Sequence, residues 1–232
     1  MGNHPAIPES GSLAEPRELS AGGFSAWLRL ILNAQRNGTG VDVPCGACNA
    51  CCRSSYFIHI RPDETATLAR IPKKLLFKAP FLPQGHVLLG YNQNGCCPLL
   101  VDDKCSIYDA RPQTCRNYDC RIFPAVGIAA GEADKERINQ QIRRWKFSYP
   151  TPRDRERQAA AQAAVQFLRE QAGSFPPGFI PPNPTQLAIF AIKAYAVFLR
   201  ENVTFRKTGR VSPAPKIAAA VMKAIENGLK DC

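Results

Sequence analysis

The chain predicts an α+β protein, mainly α, in which an irregular cysteine-rich, metal-held unit with short strands packs against C-terminal helices. Three observations predict it. Nine of the ten cysteines fall between positions 45 and 120. The stretches 133–146, 153–172 and 184–202 that follow read as helices, and a fourth spans 214–228. A hydrophobic content of 45% over 232 residues is enough for a sizeable core, so cysteine links need not hold the whole chain. The organisation expected is a flexible tail over 1–22, a cysteine-cluster metal-binding domain over 23–130, and a helical region over 131–232 packed on it.

Residues 1–22 are rich in Pro, Gly, Ser and Glu without periodicity, the composition of a tail. Residues 24–36 place Phe24, Trp27, Leu28 and Ile31 at helical spacing, and the turn sequence NGTG stops them. After the first cysteines, the alternation in SSYFIHI reads as a short strand. RPDETATLARI reads as a helix entered through Pro62, with Asp63 and Glu64 favourable in its first turn. KKLLFKAPFLPQG is broken by proline and reads as a loop. HVLLGY and CPLLVDDKCSIY read as a hairpin pair, with NQNG and DDK supplying turns. DARPQTCRNYDC has Asp109 in a capping position and Pro112 early, so a short helix carries Cys115. Among the later helices, SFPPGFIPPNP separates the second from the third, and TGRVSPAP precedes the fourth.

Composition narrows the setting. The most apolar stretch, Leu187 to Leu199, is shorter than the roughly twenty residues a membrane span requires and contains Lys193. The N-terminus lacks the basic start and apolar stretch of a secretory signal, and Ala6 breaks the myristoylation pattern. These features suggest a reducing cytoplasm, where clustered thiols bind metal more often than they form disulfides. The net charge of +11 is uneven: 17 basic against 9 acidic residues in 131–232, 13 against 10 before them. Arg143, Arg144 and Lys146 interleave with Trp145, Phe147 and Tyr149, a pattern that suits single-stranded nucleic acid. Asp154 and Glu156 dilute that charge, so a solvated helix face is preferred. His4, His59 and His86 are the only histidines, which gives a histidine-based hydrolase little support. His59 is expected to pack half-buried rather than to ligate.

The run CGACNACC places Cys45, Cys48, Cys51 and Cys52 within eight positions. A Cys-x2-Cys step aims two sulfurs at one ion, and three successive thiols at this spacing match the opening of a bacterial ferredoxin pattern. Gly46, Ala47, Asn49 and Ala50 are small enough to bring backbone N–H groups to the sulfurs. Cys97 precedes Pro98 but lies 45 residues after Cys52, so the pattern as a whole is not a ferredoxin's. Successive side chains diverge, so Cys51 and Cys52 are expected to serve two sites, or one of them to stand behind a ligand. Cys45, Cys48, Cys51, Cys52, Cys97, Cys105, Cys115 and Cys120 would fill two four-cysteine centres. Cys96 reads as a neighbour and Cys232 as a free terminal thiol. Zinc and iron–sulfur clusters both accept four thiolates; iron–sulfur is the preferred reading, with an electron-transfer or redox-enzyme role and an unidentified redox partner.

CGACNACC followed by CPLLVDDKCSIYDARPQTCRNYDC resembles the CxxCxxCC family of zinc- or iron-chelating proteins. The shared pattern is the leading cluster, Cys97-Pro98, Cys105 with Ile107 and Tyr108, and Arg111-Pro112 with Cys115-Arg116. It covers about 80 residues; the helical remainder lies outside it. Some members resemble flagellin lysine-N-methylases, so the resemblance also implies a cluster-dependent protein lysine methylase as an alternative. No Gly-rich loop after a strand supports a nucleotide-like cofactor for that activity. Arg111 and Arg116 flank Cys115 and are candidates to hold an anionic cofactor or offset thiolate charge. The plainer reading pairs them with Asp109, Asp119 or the Asp102–Asp103 turn. Tyr108 and Tyr118 are expected to be packing residues before hydrogen-bond donors.

Overall fold

The computed structural model describes residues 17–230 apart from 42 and 79–81, and not the side chains of 207 and 228–230. Residues 1–16 of the expected tail, His4 and Cys232 lie outside the described residues.

The chain opens with strand β1 (Leu19–Gly23), which leads directly into helix α1 (Phe24–Arg36). The helix buries Phe24, Trp27, Leu28, Ile31 and Ala34 on one face, as the spacing predicts. The cysteine region follows as short pieces. Ala50–Arg53 is a single 3-10 turn carrying Cys51 and Cys52. Then come β2 (Ile58–Ile60), α2 (Thr65–Leu68), β3 (Leu76–Lys78), β4 (Val87–Leu89), β5 (Leu100–Val101), β6 (Lys104–Cys105) and α3 (Gln113–Asn117). A helical body completes the chain: α4 (Ile122–Val126), α5 (Glu136–Arg144), β7 (Trp145–Ser148), α6 (Pro152–Glu170), α7 (Pro184–Thr208) and α8 (Ala214–Lys230). The mainly α, mixed class holds.

Capping sets the long helices. Thr151 starts α6 with a capping box in which Asp154 Oδ2 accepts from the Thr151 N–H at 2.8 Å, and Pro152 follows at the first helical position. Asn183 caps α7 by accepting from the N–H groups of Thr185 and Gln186, again with proline next. Where these two helices meet, Ala160, Ala161 and Ala164 face Ala188, Ala191 and Ala194, all fully buried. Small residues let the helix axes approach closely. Phe24, Leu28, Phe123, Leu168, Ile192, Val221 and Ile225 fill the rest of one continuous core.

Several sequence expectations are corrected. The segment read as a tail to residue 22 ends in β1, which pairs in parallel with β7 (Leu19 opposite Trp145, Gly23 opposite Ser148). The helix expected over 133–146 is a 3-10 turn at Ala133–Lys135 followed by α5, and its last two residues, Trp145 and Lys146, already belong to β7. The loop expected at KKLLFKAPFLPQG contains β3, which pairs with β4, and β4 pairs on its other edge with β2. HVLLGY is therefore not the hairpin partner of the next segment. That segment pairs with itself as β5 and β6 around Asp102 and Asp103, both at positive φ (46° and 61°), which a two-residue turn between right-twisted strands favours. The helix in RPDETATLARI is a single turn, and α7 continues to Thr208, where Gly209 at φ +66° ends it.

The cysteine region has a core of its own, limited to Ile60, Ile71, Leu89, Leu99 and Ile107, with Cys97 and Cys105 packed against it. It joins the body at a tight crossing. Val41 donates its N–H to Arg116 O at 3.1 Å, and a Cβ on Gly40 would lie 2.8 Å from the Arg116 Cβ and carbonyl oxygen, so only glycine fits there.

Candidate metal centre

Four thiols are brought near one another by three elements and the segment that precedes β5. Cys52 comes from the 3-10 turn, and its carbonyl accepts from the Cys97 N–H at 2.7 Å. Cys105 ends β6 opposite Leu100. Cys115 rides on α3, which starts after Pro112 and is docked by Thr114 Oγ1 donating to His59 O (2.6 Å) and by Gln113 N–H donating to Glu64 Oε2 (2.5 Å). Each of these thiols lies within electrostatic reach of the other three. Burial pushes Cys97 up to about 11 and Cys115 up to about 12, and raises Cys105 as well. Cys52 is raised first by its hydrogen bond with Cys51 and then by burial. Burial and neighbouring thiols thus act together against ionisation at these positions. A bound cation reverses that balance.

A second group forms at the junction with the body. Gly46, at φ +55°, turns the loop so that the Cys48 N–H bonds to Cys45 O at 3.0 Å. Across from them sits Cys120, only 8% exposed, whose sulfur accepts from Trp145 Nε1 at 3.2 Å. Burial raises Cys45 to about 11, with Cys48 and Asp119 adding to it; burial also raises Cys120 to about 12, with the Trp145 bond acting in the opposite direction. Beneath this group Asp119 and Arg121 form a buried pair: Nε to Oδ1 at 2.9 Å and Nη2 to Oδ2 at 2.8 Å. Trp27 Nε1 also donates to Asp119 Oδ2 at 2.9 Å, tying the pair to α1. Sequence reasoning offered Asp119 only as a partner for Arg111 or Arg116, placed Trp145 in a basic aromatic segment rather than beside a thiol, and missed Arg121. A charged pair two residues apart around a cysteine was the available signal.

The remaining expectations divide. Cys51 is exposed and meets the Cys52 thiol, so the 3-10 turn brings the vicinal pair together instead of splaying it. Cys96 stands apart, with Arg53 Nη1 at 3.8 Å and Asn94 O at 3.6 Å from its sulfur. Arg111 stacks over the Tyr108 ring at 4.0 Å, and its charge favours the thiolates of Cys45, Cys105 and Cys115. It therefore stands between the two groups. Arg116 has a buried Nε with no hydrogen-bond partner among the described residues. The aspartates expected to pair with these arginines are taken: Asp119 by Arg121 and Asp103 by Arg53. Tyr108 is 58% exposed and so does not pack in the core, while the Tyr118 hydroxyl meets that of Tyr56 at 3.2 Å. His59 Nε2 and His86 Nδ1 lie 2.7 Å apart with their rings stacked, so the histidines engage each other.

Among the described residues no three or more Cys, His, Asp or Glu side chains are drawn close enough to close on one ion. The thiols are neighbours rather than a finished coordination shell, and ligation requires their side chains to turn inward with loss of protons. The donor chemistry fits zinc or iron: soft sulfur, with no carboxylate inside the four-thiol group. Residues 44–144 match the family model CxxCxxCC, described as a putative zinc- or iron-chelating domain. The match encloses every cysteine from 45 to 120 and the whole of α5. No curated protein and no solved structure matches the chain. Among the described residues no helix is long and apolar enough to cross a membrane.

Proposed function

We propose, from residues 44–144 as a CxxCxxCC domain whose cysteine cluster chelates zinc or iron, that the protein is a cytoplasmic iron–sulfur protein exchanging electrons with a partner protein. One observation carries the reading: Cys52, Cys97, Cys105 and Cys115 are neighbours, brought near one another by three elements and a loop, with no histidine among them. Four thiolates are a complete protein ligand set for a [2Fe–2S] or [4Fe–4S] cluster. The surroundings add support. Arg111 lies near both groups, and the Trp145 N–H points at a sulfur. Cationic groups and N–H···S bonds offset the negative charge of a thiolate-held cluster and tune its potential. Cys51 is exposed, which supports approach of a partner protein to this region.

The deciding experiment is iron, zinc and acid-labile sulfide analysis, with a visible spectrum, on protein purified without oxygen. Iron and sulfide in similar amounts, with a broad band near about 400 nm that bleaches on reduction, are expected. Zinc without sulfide, in colourless protein, would overturn the redox reading and leave a structural four-thiolate site.

A further inference from the structure

We propose that the cleft between the first thiol loop and α5 binds a small ligand through an oxyanion, a phosphate or a carboxylate, held by Arg137, Arg144 and the Gln141 amide. The cleft has a volume of about 770 Å³, within the range of about 300–1,000 Å³ typical of small-molecule sites. One wall is the loop from Pro44 to Ala50. The other is α5, where residues 137, 141 and 144 recur at helical spacing on one face. Three arginines line the cleft and no carboxylate does. Arg143 is engaged by Glu136 at 2.6 Å, but Arg137 has no hydrogen-bond or ion-pair partner among the described residues.

Gln141 gives the cleft its second, independent mark. It is only 5% exposed; its Oε1 accepts from Arg144 Nη1 at 3.0 Å, while its Nε2 is buried with no partner among the described residues. A buried donor without an acceptor is costly, and a ligand oxygen supplies the acceptor. Arg144 is held in place by donating from Nε to Arg17 O at 3.0 Å, so its fork is set before a ligand arrives. No aromatic side chain lines the cleft, which favours a small anion over a strand of nucleic acid that would need rings to stack on. This site uses none of the thiols as ligands, so it stands or falls separately from the metal reading.

The test is calorimetric titration of the full chain, at low ionic strength, with inorganic phosphate and with citrate. Saturable one-site binding of at least one anion is expected, weakened about tenfold or more in Arg137→Gln and in Arg144→Gln. Arg169→Gln, an exposed charge on α6, should bind as the native chain does. Circular dichroism establishes that each variant is folded. Arg137→Gln removes no hydrogen bond or ion pair among the described residues, so its result remains interpretable if Arg144→Gln is destabilised. The tighter of the two anions names the class of ligand. No saturable binding of either anion, unchanged affinity in Arg137→Gln, or an equal loss in Arg169→Gln overturns the proposal.

Discussion

The helical body and the cysteine region reach order by different means. The body buries a continuous set of large side chains, from Phe24 and Phe123 to Leu168, Ile192 and Ile225, and its two longest helices meet along facing alanines. The cysteine region has five buried apolar residues and strands of two or three residues. Burying a side chain of that kind contributes about 1.5–3 kcal/mol. The hydrophobic effect holds the body, while in the smaller cysteine region, with its few buried apolar residues, bonds made by the sulfurs would add most.

The largest expected effect would test that contrast directly. Chelation, or Cys115→Ser, should remove amide-exchange protection from β2 to β6 and α3 while α6 and α7 keep theirs. A structural thiolate site can contribute on the order of 10 kcal/mol to folding, so the loss should be complete rather than graded. Retained protection in β2 to β6 would erase the distinction between the two regions. Next is Asp119→Ala at the seam, which removes the buried carboxylate that pairs with Arg121, at a cost of about 3–5 kcal/mol. Because Asp119 also lies beside Cys45 and Cys120, metal content should fall with stability in this variant.

Leu168→Ala sharpens the comparison from the other side. Its cavity in the body should cost about 2–5 kcal/mol in a thermal or denaturant melt, with metal content unchanged. A smaller effect is set by pH. Hydrogen bonds from Ser25 and Thr151 hold the Asp154 carboxyl well below the usual carboxylate range. A depressed folded-state pKa contributes stability that is present above the unfolded value and lost as the pH falls below it. Melts of Asp154→Asn should therefore lie below the native curve at neutral pH and converge with it in acid. Convergence at neutral pH instead would remove Asp154 from the forces that join α6 to α1. Least of all, Glu156→Gln breaks the exposed Arg206 pair on the body and should change stability by no more than about 1 kcal/mol.

How much of this was legible depends on how far each signal reaches along the chain. Helix α1 starts and stops where its own thirteen residues say, because the buried face is complete within them. The boundaries of α6 lie within two residues of the pattern for the same reason, helped by Thr151 and Pro152. β1 and β7 pair across more than a hundred residues, and neither has a local period long enough to declare a strand. The thiols stood out by residue type alone. Their division into one group with Cys115 and another with Cys120 is set by β6, α3 and α4, and spacing carries no trace of it. Nothing in the sequence singles out Gln141. Only the fold shows it inside, half satisfied.

The crossing of Gly40–Val41 with Arg116 has a consequence for the architecture as a whole. The chain leaves the body and re-enters it through the same doorway, so everything between is a cassette whose two ends already touch. Lengthening such an excursion is cheap, since each doubling of a flexible loop adds only about 0.6 kcal/mol of closure entropy. The frame of helices meets the cassette at this threshold and once more beside α5, where Lys135 Nζ donates to Ser54 O, so the far strands are the part it need not register.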